Sequence, residues 1–277
     1  MMRVTIVGFG LIGGSLSLAV RRHAGVHVTA IDRAPVLARA EARDAADEHL
    51  PLEEAEALKT ALERSDVTVL AVPVGTIVRL LPWSLSHARV VTDCGSTKRE
   101  IAQAAAEHAR GRYFVPGHPM AGLPDGGIEN ARGDLFEGRA WILSPGESEP
   151  EAYQAVRHLL GLTGARLVEL TPDAHDRAVA VTSHLPQLLA SALFTLADDD
   201  SARAAMGPAF ERATRAAGGP ESMWSDIFET NADEVARAAE ALSRELAGVA
   251  AGLRRSPPDT QAALSLLAKA RSRRGSG

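Results

Sequence analysis

The chain has 277 residues, enough for one large domain or two ordinary ones. Hydrophobic residues make up 45% and charged residues 23%, a globular balance, and a net charge of −5 without a basic block inside the folded region excludes nucleic acid as a partner. A single cysteine, Cys94, excludes an intrachain disulfide framework and points to a reducing cytoplasm. The N-terminal apolar run is interrupted by glycines. No stretch is expected to approach the roughly 18 apolar residues of a membrane span, so no membrane partner is expected either.

In chain order, strands are predicted at 3–8, 27–31, 66–72, 89–93, 112–116, 139–143 and 165–170. Helical patterns fall near 11–23, 34–45, 75–82, 97–110 and 149–163. The alternation predicts an α/β fold built on a parallel sheet covered on both faces. At Thr171-Pro172-Asp173 the character changes: Thr171 suits a helix cap, Pro172 the first helical position, and Asp173 the positive end of the dipole. Beyond it, helices are predicted at 172–198, 201–216, 220–229, 232–254 and 259–270, with a kink at Pro186. Two domains follow, 1–170 and an all-helical 171–277, with the basic stretch 271–277 as a disordered end. Ala-rich helices bury little area each, which predicts that the second domain pairs with a second copy as a homodimer.

The first strand runs into Gly8-Phe9-Gly10-Leu11-Ile12-Gly13, a G-x-G-x-x-G turn followed by a helix. Gly8 permits the turn, Gly10 a close backbone approach to a pyrophosphate, and Gly13 close packing of helix on strand. The second strand ends in Asp32, about 20 residues on, where a carboxylate accepts hydrogen bonds from a ribose diol. The expected cofactor is therefore NAD. Arg33 directly follows Asp32 and suits a 2′-phosphate, which keeps NADP as the alternative. Gly8, Gly10, Leu11, Ile12, Gly13, Asp32, Arg33, Val72 and Pro73 are the expected cofactor-binding residues.

A reacting group should stand beyond the carboxyl ends of the strands. One such exit carries Cys94-Gly95-Ser96-Thr97-Lys98-Arg99-Glu100, where either Ser96 or Thr97 caps the next helix; if Thr97 does, the Ser96 hydroxyl is available to a ligand. Another carries Gly117-His118-Pro119, an imidazole on a restrained backbone that can take a proton near neutral pH. Cys94 has no activating His in the sequence nearby and reads as a packing residue. His175 and His184 share roughly one helical face, without the Cys or paired carboxylates of a metal site, so no metal is expected. Arg215 is flanked by small residues on an expected close-packed face, where it needs an anion: a substrate carboxylate or a surface acid.

These motifs, together with Thr92-Asp93, Met120-Ala121-Gly122, His175-Asp176, Ser183-His184-Leu185-Pro186, Thr214-Arg215 and Met223-Trp224-Ser225-Asp226-Ile227-Phe228, resemble the prephenate/arogenate (cyclohexadienyl) dehydrogenase family of tyrosine biosynthesis over roughly residues 3–255. The resemblance implies a Rossmann domain, a dimerising helical domain and a small-molecule substrate. The reaction it implies is NAD- or NADP-dependent oxidative decarboxylation of prephenate to 4-hydroxyphenylpyruvate. His118 then accepts the proton of the C4 hydroxyl, Ser96 hydrogen-bonds to that hydroxyl or to His118, Arg215 holds a substrate carboxylate and His184 shapes the pocket. Gln187 stands where many relatives carry a second His, which adds arogenate as an alternative substrate; an amino-substituted prephenate would be served by the same motifs and is a further alternative. A hydroxyacid or imine reductase and a non-catalytic dinucleotide sensor are the competing readings.

Overall fold

The computed structural model describes residues 1–123, 125–219 and 221–275. Its elements group into two units. The first comprises Met1–Val179 and Gly218–Asn231; the second comprises Ala180–Ala217 and Ala232–Gly277.

The first unit is built on β1 (Met2–Val7), β2 (Val26–Asp32), β3 (Glu48–Pro51), β4 (Val67–Leu70), β5 (Val91–Asp93) and β6 (Phe114–Val115). They form one sheet in the order β3-β2-β1-β4-β5-β6, parallel throughout. The order reverses between β1 and β4, the switch point beside which doubly wound sheets bind ligands. Side chains alternate across it. Val4, Ile6, Val28, Ala30, Val67 and Val69 enter one apolar cluster, whereas Val7, Ile31, Leu70 and Val91 enter a second on the opposite face. The first cluster includes residues of α1 (Leu11–Val20), α2 (Ala34–Ala42) and α6 (Pro150–Gly161). The second includes α3 (Ala55–Arg64), α4 (Val74–His87) and α5 (Arg99–Ala106).

Four features depart from the sequence reading. Strand β3 and helix α3 were not expected; Glu48-His49-Leu50-Pro51 has one strong apolar residue and a proline, which an edge strand tolerates. The segment 112–116 is not one strand. Pro116 separates β6 from β7 (Gly117–Pro119), which joins a second sheet with β8 (Ala140–Leu143) and β9 (Arg166–Glu169). There β7 runs antiparallel to β8, pairing His118 with Ile142, and β8 runs parallel to β9. Helix α4 is the helix expected at 75–82, carried on through Pro82 to His87.

The third departure concerns 172–198. It consists of α7 (Pro172–Val179), a π-helical turn at Ala180–His184, and α8 (Leu185–Thr195). The irregularity thus falls in the turn before Pro186, where the wider winding accommodates a residue that cannot donate. Taken as one segment, Pro172–Thr195 is long and apolar enough to cross a membrane by length and composition alone, contrary to the expectation that no stretch would be. Its first turns nevertheless carry Asp173, His175, Asp176 and Arg177, and His175 and Asp176 are buried in a polar network. Thr171 caps α7, its hydroxyl accepting from the Ala174 N–H at 3.2 Å.

The fourth concerns the C-terminal stretch. The second unit holds α8, α9 (Asp200–Ala204), α10 (Pro208–Thr214), α12 (Ala232–Leu253) and α13 (Gln261–Arg274), so residues 271–274 are helical rather than a disordered end. Ser276 and Gly277 lie outside the described residues, as does Pro220, where the 220–229 helix was expected to begin. That helix is α11 (Glu221–Thr230), and it packs with the first unit against α4, where Asp226 accepts the Gly75 N–H at 3.4 Å. In the second unit α8 packs on α10, with Phe194 and Phe210 rings 6.1 Å apart, and α12 packs on the π-turn and α13.

Close packing of α1 on β1 depends on Gly13. A Cβ there would stand 2.0 Å from the Gly8 carbonyl oxygen, so the helix would have to move. Gly13→Ala should lower stability by about 1–3 kcal/mol in chemical denaturation, the usual cost of overpacking. An unchanged denaturation midpoint would mean that α1 is not held this tightly.

Candidate active site

At the end of β1 the chain turns through Gly8, whose φ of +92° only glycine adopts freely. Gly10 is the N-cap of α1, and nothing lies within 4 Å of where its Cβ would be. No side chain caps α1, and its first turn has no acid, so its N–H groups and dipole are left for an anion. Leu11 is buried and Ile12 half-buried behind the turn. Asp32, at the end of β2, accepts the Phe9 N–H at 2.6 Å through Oδ2 and the Arg33 N–H at 2.7 Å through Oδ1. Those two bonds aim the carboxylate at the rim of the turn. Arg33 is exposed, with Nε 3.9 Å from Asp32. Half-buried Val72 and exposed Pro73 link β4 to α4 on the other side of Gly8. A glycine cradle open at Gly10, an uncapped helix and an acid at the end of β2 fit a dinucleotide.

Beside this turn the carboxyl end of β5 supports a buried polar network. Asp93 accepts the N–H of Gly95 at 2.7 Å and that of Gly117 at 2.9 Å. Lys98 ion-pairs with Asp93 and donates to the Gly117 carbonyl at 2.7 Å. Both side chains are wholly buried. His118 follows Gly117 on β7, half-buried. Its Nδ1 lies 2.8 Å from Nε2 of His175, and Nδ1 of His175 lies 2.7 Å from Oδ1 of Asp176. Asp176 also accepts the N–H groups of Lys98 at 2.8 Å and Arg99 at 3.0 Å, so it caps α5 from another helix. Neither Ser96 nor Thr97 is that cap: Lys98 is the N-cap residue. Thr97 bonds instead to Thr230 at 2.7 Å. Asn231 completes the network, donating to the Asp176 carbonyl at 2.9 Å and accepting from Arg99 at 3.0 Å.

The proton positions follow. A carboxylate only accepts, so His175 carries its hydrogen on Nδ1. Its Nε2 is then the acceptor and His118 donates from Nδ1, a tautomer that places the lone pair of His118 on Nε2. Burial is the largest influence on His175 and holds its pKa below the ordinary histidine value, which keeps it neutral. Burial would push Asp176 up, but hydrogen bonds from His175 and from the Arg99 and Lys98 backbones overcome it and leave the carboxyl below its usual range.

Among the other expected site residues, Ser96 is half-buried, two residues before Lys98, and its hydroxyl makes no hydrogen bond among the described residues. Cys94 sits above the ordinary thiol range, first through burial and then through Asp93, and remains protonated. His184, buried at the end of the π-turn, half-buried Gln187 on α8, and Arg215 at the end of α10 belong to the second unit. Arg215 is exposed, so the expected close-packed face is not there; the small residues flanking it lie on an open helix end. His175 does not act as a helical-face companion of His184. The π-turn breaks the α-helical register between them, and the partners of His175 are His118 and Asp176. Sequence reasoning missed Asp93, Lys98, Asp176 and Asn231 as site residues, because each joins the network around His118 through hydrogen bonds between segments far apart in sequence.

Both buried groups destabilise the fold on acidification. His175 has a folded pKa below its unfolded value near ~6.5, so stability is intact above that pH and falls as pH drops below it; Asp176 continues the loss below about pH 4. Denaturation curves from pH 7 to pH 5 should fall by up to about 1.4 kcal/mol per pH unit for this one proton, and His175→Gln should flatten that slope. An equal slope in both proteins would show that His175 titrates normally.

The family model described as prephenate dehydrogenase, nucleotide-binding domain, matches residues 16–169, and the one described as prephenate dehydrogenase, dimerization domain, matches 171–265. A prephenate dehydrogenase of Bacillus subtilis is 32% identical over 245 residues, 84% of this chain and 65% of that protein. A probable prephenate dehydrogenase of Streptomyces niveus is 34% identical over 268 residues, 92% of this chain and 69% of that protein. The chain thus spans about two thirds of the length of these relatives, 65% in the Bacillus case. The crystal structure of prephenate dehydrogenase from Aquifex aeolicus, in complex with hydroxyphenyl propionate and NAD+, superposes with a TM-score of 0.88 at 26% identity, covering 100% of this chain and 98% of that one. With both family models matched in sequence, the chain belongs to the prephenate dehydrogenase family.

Proposed function

We propose that this protein oxidatively decarboxylates prephenate to 4-hydroxyphenylpyruvate with NAD as oxidant, in the cytoplasm. The observation that carries this reading is the His118–His175–Asp176 chain beside the carboxyl end of β5, on a sheet whose β1–α1 turn suits a dinucleotide. The Aquifex neighbour, which holds NAD+ and hydroxyphenyl propionate, supports the same cofactor and a ring ligand with an acidic side chain.

Gly8, Gly10, Leu11, Ile12 and Gly13 would cradle the pyrophosphate, Asp32 would take the ribose diol, and Val72 and Pro73 would border the nicotinamide. Asp32 repels a 2′-phosphate, and this favours NAD over NADP despite Arg33. When bound, the nicotinamide supplies the acceptor for the hydride that leaves C4. Nε2 of His118 takes the C4 hydroxyl proton as the carbonyl forms. Loss of the ring carboxylate as CO2 then returns an electron pair to the ring and leaves a phenolate, to which the His118 imidazolium returns the proton. Aromatisation supplies the driving force, and the protein supplies a base and an orientation. Ser96 would hydrogen-bond to the reacting hydroxyl or to His118. Arg215 would grip a substrate carboxylate, its exposure leaving the guanidinium available to an anion. His184 would shape the pocket.

Gln187 favours a second substrate. An amide accepts and donates hydrogen bonds without carrying charge, and this suits the amino acid side chain of arogenate as well as a keto acid. The helical unit is proposed to pair two copies. Its buried apolar side chains, among the described residues, are Ala180, Ala190 and Val235, while Leu189, Phe194, Leu196, Leu246, Leu264 and Leu267 stand exposed.

With NAD and prephenate, NADH absorbance should rise, and His118→Asn should cut kcat by about 10²–10⁴-fold with NAD affinity unchanged. Strong activity in that variant would remove His118 as the base. Arogenate should also be turned over, and a wild type fast on prephenate and inert on arogenate would refute the role given to Gln187.

A further inference from the structure

We propose that Lys98 is a positioning residue for the base: its buried ammonium fastens the strand that carries His118, and its charge adds to burial in favouring the neutral His175 whose tautomer places the lone pair of His118 on Nε2. The inference rests on the reading of His118 as the base and concerns how that base is kept active.

Lys98 touches both ends of the hydrogen-bonded chain. At one end its own N–H donates to Asp176 Oδ1 at 2.8 Å. At the other its Nζ bridges Asp93 and the Gly117 carbonyl, one residue before His118. Asp93 holds the same residue through its N–H, which belongs to the preceding peptide. The backbone entering His118 is therefore clamped at both its N–H and its C=O by one ion pair.

The charge of Lys98 acts on His175 as well. The groups facing His175 are Asp176 and His118 in direct contact, Arg99 on Asp176 at 3.3 Å, and the Asp93–Lys98 pair. Burial opposes a charged imidazole most, the Asp176 hydrogen bond favours one, Lys98 opposes it alongside burial, and Asp93 favours it. The balance matters because a protonated His175 donates from both nitrogens. His118 would then have to accept through Nδ1 and carry its hydrogen on Nε2, where it cannot take a hydroxyl proton. One proton on His175 thus switches off a base one residue removed.

The two members of the ion pair make opposite predictions. Lys98→Met removes the cation and should raise the His175 titration midpoint by about one pH unit or more, a tenfold change in its protonation constant. Asp93→Asn removes the anion, is nearly isosteric, and should lower the same midpoint. Histidine ¹⁵N NMR on the full chain, without substrate or cofactor, reads both midpoints and the tautomers. In wild type it should show hydrogens on Nδ1 of both His118 and His175 at pH 7. The acid limb of kcat/KM for prephenate should move in the same two directions, through kcat rather than KM. If Lys98→Met does not fold, Asp93→Asn and the wild-type tautomers still decide. Midpoints that stay put, or move in the same direction in both variants, overturn the proposal, as does a wild-type His118 protonated on Nε2. A wild type that shows these tautomers and shifts but no prephenate turnover would instead refute the proposed function while upholding the part played by Lys98.

Discussion

The carboxylate of Asp176 is the fastening on which the site depends. It is wholly buried, and a buried charge is costly unless its lone pairs are filled. Here they are filled by the His175 imidazole, by two backbone N–H groups at the start of α5, and by Arg99 Nε at 3.3 Å. The helix gains a negative charge at its positive end, and the imidazole gains a fixed tautomer. One side chain thereby couples the position of a helix to the tautomers of His175 and His118. Because α5 also carries Lys98 at its cap, the carboxylate is tied to the peptide that precedes His118.

That coupling explains the architecture around it. The parallel sheet ends at β6, and Pro116 sends the chain into a small second sheet. There β7 is held on one side by β8 and on the other by Asp93 at the tip of β5. His118, the proposed base, therefore stands on a short strand fixed by two sheets rather than on a loop. Helix α11 returns late in the chain to close the same network through Thr230 and Asn231. Residues around 93–99, 117–118, 175–176 and 230–231, far apart in sequence, thus meet around one buried pair of charges.

Much of the first unit was legible because its signals are local. The G-x-G-x-x-G turn, the apolar strands and Asp32 each announce themselves within a few residues. Strand β3 was hidden by its polar composition and proline, and the second sheet by the apolar look of 139–143 and 165–170, which suits either sheet. His118 was visible from its setting between Gly and Pro. Its partners were not, since nothing in the dipeptide His175-Asp176 states that it lies against residues 98 and 118. The sequence suggested Ser96 or Thr97 as the helix cap, and the actual cap comes from almost eighty positions away. Arg215 was read as packed because its neighbours are small, but small residues at a helix end leave a side chain open to solvent. The family models change over between residues 169 and 171, whereas the contacts carry α7 and α11 into the first unit, because Asp176 and Asn231 are bound there.

The most direct test of the central claim is single-turnover hydride transfer in Asp176→Asn. An amide of the same shape retains one acceptor for α5 but can present its NH2 to His175, releasing the tautomer of the whole chain. The account predicts a rate lowered by about 10²–10⁴-fold at pH 7, with NAD bound as tightly as in wild type. A rate close to that of wild type, in a folded protein that still binds NAD, would contradict it.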